Sequence, residues 1–231
     1  MKTLGILGGL GPESTTEFYL KLVQKCREQN NISWPPVAVY CVPLAFDFLN
    51  EVIIGGGGEI KDFLPFLIDG AKQLDKAGPD FAVIPCNTAH IFIDEIRAMS
   101  RTPYLSIVEE IALLAKEKRM KTLGLLGTQK TIDSGIYAKA LQKQGISLVI
   151  SSQAEQEIVS QTIGKILNNT TNEEDKIEML NIVRNLQQKG AKAVILGCTD
   201  IQLLINQKDT DVILVDTVET LVDATVKKML S

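Results

Sequence analysis

Residues 2–8 read KTLGILG, and residues 121–127 read KTLGLLG. The second stretch is the first displaced by 119 positions, differing only where Ile6 gives way to Leu125. Two further blocks repeat in the same order. AGPDFAVIPCNT at 77–88 resembles KGAKAVILGCT at 189–199, which sets Cys86 and Cys198 112 apart. YLSIVEEIALLA at 104–115 resembles ILVDTVETLVDA at 213–224, 109 apart. Three ordered matches at a nearly constant offset are the mark of a duplicated unit, and the period is too long for a solenoid.

Each half reads as alternating strand and helix. Leu4–Leu7 is a short apolar strand ending in glycines, and a helix from Glu17 to about Gln29 follows, with Phe18, Leu22, Val23 and Cys26 on one face. Val37–Val42 and Phe81–Pro85 are strands, with a helix over about Phe63 to Lys76 between them. Pro65 belongs in its first turn and Gly78 ends it. A helix over about Ala89 to Met99 completes the half. Strands near 122–126, 146–150 and 192–196 repeat the plan, and Thr170–Asp175 is a polar surface connection. Continuous apolar strands between helices imply parallel sheets covered on both faces. The predicted fold class is α/β: two pseudo-symmetric lobes, each a parallel sheet flanked by helices, with the active site in the cleft between them. The final strand and helix are expected to pack back on the first lobe, giving lobes of 1–101 plus 213–231 and of 102–212.

The chain of 231 residues is 45% apolar and 23% charged, an ordinary globular composition. A net charge of −4 without a basic stripe argues against nucleic acid or an anionic membrane as partner. No apolar run reaches the roughly 18 residues of a membrane span. The apolar start at Leu4–Leu10 is too short for a signal peptide and recurs mid-chain, so a cytoplasmic location is expected. Four cysteines without CxxC spacing suit neither a disulfide scaffold nor a zinc site. His90 is the sole histidine, so no His-rich metal site is expected, and a Ser-His-Asp triad would need His90 itself.

In open parallel sheets, ligands bind beyond the carboxyl ends of the strands. Four such ends carry informative residues: Gly8–Gly11, Pro85–Thr88, Gly127–Thr128 and Gly197–Asp200. The glycines at 5, 8, 9 and 11 do not form GxGxxG and lack the following acidic residue, which speaks against a dinucleotide cofactor. Bare N–H groups in that loop could instead hold a carboxylate. Cys86 and Cys198 each follow a strand and precede a helix whose first turn offers Asn or Thr as a cap, a setting that lowers a thiol's pKa. One such cysteine is most simply a small buried hydrophobe. Two at equivalent points of a duplicated unit point to function. Facing across a cleft, one thiolate can take a proton from a carbon while the opposite thiol delivers one from behind, inverting the centre without metal or redox cofactor. A redox disulfide would leave no room for substrate. Cys26 and Cys41 read as core, and His90 as a residue that orients the Cys86 loop.

GILGGLGPEST at the start, PCNTAH at 85–90 and GCTDI at 197–201 resemble the aspartate/glutamate racemase family, cofactor-independent amino-acid racemases whose relatives include hydantoin racemase, maleate isomerase and arylmalonate decarboxylase. The resemblance covers almost the whole chain. It implies that Cys86 and Cys198 are the two acid/base residues, each serving one enantiomer. It also implies that Asn87, Thr88 and Thr199 hold the substrate α-carboxylate with help from Gly9, Leu10 and Gly11, while Thr128 lines the same cleft. GCTD rather than GCTH, and the lack of a DSG signature, place the chain nearer the aspartate branch. Typical aspartate-specific members grip the side-chain carboxylate with an arginine after the second strand and a lysine in the second lobe. Here Phe48 and Asn168 stand at those places, with Lys165 nearby. The expectation is a pyridoxal-independent racemase for an amino acid, aspartate or glutamate first, acting as a cytoplasmic homodimer whose lobes close on the ligand. Its rivals are a racemase of another amino acid, which a more apolar pocket would take, a dicarboxylate isomerase or decarboxylase on the same scaffold, and a non-catalytic amino-acid-binding protein.

Overall fold

The computed structural model describes residues 1–30, 33–49, 51–52 and 58–231. The first half runs β1 (Leu4–Gly8), α1 (Pro12–Asn30), β2 (Val37–Cys41), α2 (Phe46–Leu49), α3 (Leu64–Ala77), β3 (Phe81–Val83), α4 (Ile93–Met99), β4 (Tyr104–Leu105) and α5 (Ile107–Glu117). The second runs β5 (Thr122–Leu126), α6 (Gln129–Ser134), α7 (Ile136–Gln142), β6 (Ser147–Ile150), α8 (Gln153–Leu167), α9 (Glu173–Gln188), β7 (Ala193–Leu196), β8 (Ile213–Asp216) and α10 (Thr217–Leu230). Two four-stranded parallel sheets result, ordered β2-β1-β3-β4 and β6-β5-β7-β8. Equivalent strands occupy equivalent places: Ile6 pairs with Val39 and Val83, and Leu125 with Ile150 and Ile195.

The repeated glycine within each heptad has a packing reason. A Cβ on Gly5 would stand 2.9 Å from Leu74 of α3, and one on Gly124 would stand 3.2 Å from Leu186 of α9. Each central strand therefore admits its covering helix at closer range than a side chain allows.

The final strand departs from the sequence expectation. Residues 213–216 do not join the first lobe; β8 pairs with β7 in the second sheet, and β4 pairs with β3 in the first. Four residues link α4 to β4, which returns the chain to the edge beside β3. Only the helices cross. α10 packs against α1 and α5, and α5 against α7. Their buried residues, among them Ile111, Leu221 and Val222, join Leu4, Ile6 and Phe18 to Leu123, Leu125 and Tyr137 in one apolar cluster spanning both sheets. The outer faces have separate clusters, under α3 and α4 in one lobe and under α8 and α9 in the other. The lobes thus share a core and meet at the carboxyl ends of β1, β3, β5 and β7.

Candidate active site

Both sheets deliver their central strand ends to one cavity of about 40 Å³, lined by Leu10, Gly11, Cys86, Asn87, Thr88, Thr128, Ile163, Leu167, Cys198, Thr199 and Asp200. The two predicted cysteines are brought together there, both buried. One water needs roughly 10–15 Å³ on this measure, so the space takes a few waters and not an amino acid. Its walls must separate to admit one.

Local structure after each cysteine differs from the capped helix expected. Cys86 leads into a 3-10 turn over Thr88–Phe92, and Cys198 into one over Ile201–Leu203. Asn87 has helical backbone angles and caps nothing. Its side chain reaches across the lobes: Nδ2 donates to Thr217 Oγ1 at 3.1 Å, and Oδ1 accepts from the Tyr137 hydroxyl. Thr199 is not a cap either, because Asp200 precedes the turn. Thr128 does cap, accepting from the Thr131 N–H at 3.2 Å. Gly9 lies outside the cavity wall. Its N–H donates to Thr15 Oγ1 at 3.0 Å, its φ is +85°, and a Cβ there would meet the Val42 backbone at 2.9 Å. That glycine is required for the turn and has no donor left for substrate.

The two halves of the site are built to one plan with different chemistry. Thr88 stands two residues after Cys86, and Asp200 two residues after Cys198. Each bonds a hydroxyl on the first helix of the opposite half. Thr88 Oγ1 lies 3.0 Å from Thr131 Oγ1 and 3.1 Å from Thr128 Oγ1, which are 3.0 Å from each other. Asp200 Oδ1 accepts from Ser14 Oγ at 2.5 Å, and its Oδ2 accepts from Cys198 Sγ at 3.7 Å. Cys198 therefore has a carboxylate partner, while the corresponding place beside Cys86 holds a threonine hydroxyl.

The thiols are not acidified in this state, contrary to the expectation from helix starts. Burial pushes Cys86 up to about 12, against the N–H groups of Ala89 and Thr88 that favour its thiolate, with Asp200 adding to the rise. Burial also raises Cys198 well above the usual thiol range. The Asp200 charge adds to that, and so does a charge on Cys86. Short 3-10 turns lack the aligned dipoles of a long helix, and desolvation outweighs what their N–H groups return. Burial raises Asp200 too, opposed by its bonds from Ser14 and Cys198; Glu13 and Glu17 of α1 raise it further.

His90 holds the Cys86 loop from behind. Nδ1–H donates to Cys86 O at 2.8 Å, and Nε2 accepts from the Ile107 N–H at 3.1 Å. Burial lowers its pKa to about 4, so the ring is neutral and structural. Cys26 is core, but Cys41 is exposed, because β2 is an edge strand. The positions weighed for a side-chain carboxylate all point elsewhere. Phe48 packs on Phe63 and Phe66. Asn168 Nδ2 donates to Gly164 O at 2.7 Å. Lys165 pairs with Asp175 of α9 at 2.5 Å. Sequence reasoning missed Ser14, Thr131 and Tyr137; the duplication alone could have flagged Asp200, as the counterpart of Thr88.

Residues 7–225 match the model of the Asp/Glu/hydantoin racemase family. The chain belongs to that family. It is 31% identical over 232 residues to the broad specificity amino-acid racemase RacX of Bacillus subtilis, covering 99% of this chain and 98% of that protein. Solved structures agree. An aspartate racemase homologue from Pyrococcus horikoshii superposes with a TM-score of 0.81 at 27% identity, each chain covered in full. The aspartate racemase of Picrophilus torridus gives 0.82 at 26%, covering 99% of this chain and 94% of that one. The chain is thus an isomerase of the amino-acid racemase type. No helix among the described residues is long and apolar enough to cross a membrane.

Proposed function

We propose that this protein inverts the α-carbon of an amino acid by two-base proton transfer between Cys86 and Cys198. The observation that carries the reading is that both thiols, from equivalent ends of two duplicated sheets, line one cavity. In one direction a thiolate takes the α-proton, leaving carbanionic character spread onto the substrate carboxylate. The opposite thiol then gives its proton to the other face. One turnover exchanges the protonation states of the two sulfurs, and the reverse reaction restores them.

Because burial raises both thiols, a thiolate forms when a ligand changes that environment. The substrate ammonium supplies a positive charge beside the sulfurs, and such a charge favours the thiolate. Thr88, Thr128, Thr199, Asn87 and the Leu10–Gly11 backbone are the polar groups at hand for the α-carboxylate, where donors stabilise developing charge most in a poorly solvated site. Proton transfer between two sulfurs needs no Schiff base to pyridoxal phosphate. We further propose a cytoplasmic homodimer, twofold pairs being the commonest soluble oligomers; sedimentation at micromolar concentration checks the stoichiometry.

The test is chiral chromatography of L-amino acids incubated with the protein and with its Cys86→Ser and Cys198→Ser variants. The reading expects D-enantiomer from wild type alone. Undiminished activity in either variant would refute it.

A further inference from the structure

We infer that the side chain of the substrate is uncharged and aliphatic, an inference that rests on the racemase reading above. Outside the two cysteine loops the cavity wall is made by three aliphatic side chains, Leu10, Ile163 and Leu167, together with Gly11 and Thr128. Ile163 and Leu167 lie four residues apart on α8 and so share one helix face. Lys165, between them, faces away to Asp175. Among the described residues no Lys, Arg or His lines the cavity, and the undescribed positions are Asn, Ile and Gly.

What charge the site does carry is negative. Asp200 is in the wall. The Glu13 carboxylate lies 3.3 Å from where a Cβ on Gly11 would stand, and Glu13 and Glu17 both act on Asp200 to raise its pKa. Lys21, which pairs with Glu17 at 3.0 Å, is also held by Asp216 at 3.3 Å. A second carboxylate on the substrate would meet apolar wall or like charge, with no guanidinium or ammonium to grip it. A cationic side chain would find Asp200 already engaged by Ser14 and Cys198. This departs from aspartate and glutamate, which the family resemblance implies.

The test is kcat/KM in heavy water, read as Cα deuteration, for L-leucine, L-methionine and L-alanine against L-aspartate, L-glutamate and L-lysine. The inference expects the best uncharged substrate to exceed both acidic ones by at least about 100-fold, the scale set by like charges meeting in a poorly solvated site. The Leu167→Arg variant is expected to narrow that ratio by 10-fold or more. Binding to the Cys86→Ser/Cys198→Ser protein, measured by calorimetry, should keep the same rank order. Fastest exchange of aspartate, glutamate or lysine would overturn the inference and leave the racemase reading standing. Exchange of no amino acid at all would overturn both.

Discussion

The halves around Cys86 and Cys198 are copies in backbone and opposites in electrostatics. After Cys86 comes a hydroxyl cluster of Thr88, Thr128 and Thr131, neutral at every pH the fold survives. After Cys198 comes Asp200, a buried carboxylate held by Ser14, with a pKa raised by burial and further by the charges of Glu13 and Glu17. Duplication preserved the frame that puts a sulfur on each side of the cavity, while the residue two places on diverged. The two bases need not share one pKa. Since the equilibrium constant between enantiomers is one, kcat/KM must be equal in the two directions. The asymmetry can show only in kcat and KM separately, and in the pH response of each thiol.

The largest effect is expected where the halves are alike. Cys86→Ser and Cys198→Ser should each lower kcat by roughly 10³-fold or more, the scale of a lost general acid or base, measured by chiral chromatography in both directions. A variant that keeps kcat near the wild-type value would break the symmetry of roles.

Asp200→Asn should separate the halves. Its charge raises both thiols, and among the causes that raise each it stands second only to burial. Removing it should move the alkylation midpoint of each thiol to lower pH. The Cys198 shift, read with iodoacetamide in a Cys86→Ser background, should be the larger because that thiol also donates directly to Asp200. The matching change, Thr88→Val, should leave both midpoints in place, since no charge is lost. A rise of the Cys198 midpoint in Asp200→Asn would contradict this electrostatic assignment.

Smaller effects concern stability. Thr131→Val and Ser14→Ala each remove a buried cross-lobe hydrogen bond, at about 1–3 kcal/mol when the partner is left unsatisfied. Ser14→Ala should cost more, because its partner Asp200 is ionisable; denaturant titration compares the two. His90 gives a pH signature confined to the Cys86 half. Its folded pKa near 4 lies below the ordinary 6.5. The unfolded chain therefore binds more protons between these values, and stability should fall as pH drops from about 6.5 towards 4. His90→Asn, lacking that titration, should flatten the slope in a urea-midpoint series.

The comparison also separates what the sequence makes legible from what it hides. The two parallel sheets follow from KTLGILG and its copy, because strand ends, glycines and apolar runs are local patterns. Cys86 and Cys198 are legible for the same reason: a strand end in a parallel sheet has a predictable place. The assignment of 213–216 was not, since joining either sheet satisfies the same apolar pattern and only pairing with β7 decides it. The bond between Ser14 and Asp200 spans 186 positions and leaves no local trace. The direction of the cysteine shifts is hidden from the sequence because a helix start is visible there and depth of burial is not. Gly9 reads as a ligand-binding glycine until its N–H is found bonded to Thr15.

The central claim is that two different sulfurs serve opposite faces of one carbon. Its most direct test is the early phase of racemisation in heavy water, analysed separately for each enantiomer. The account predicts deuterium at Cα of the inverted product while recovered substrate remains protiated, from either starting enantiomer. Equal deuteration of recovered substrate and product from the first time points, as one base working both faces would give, would contradict it.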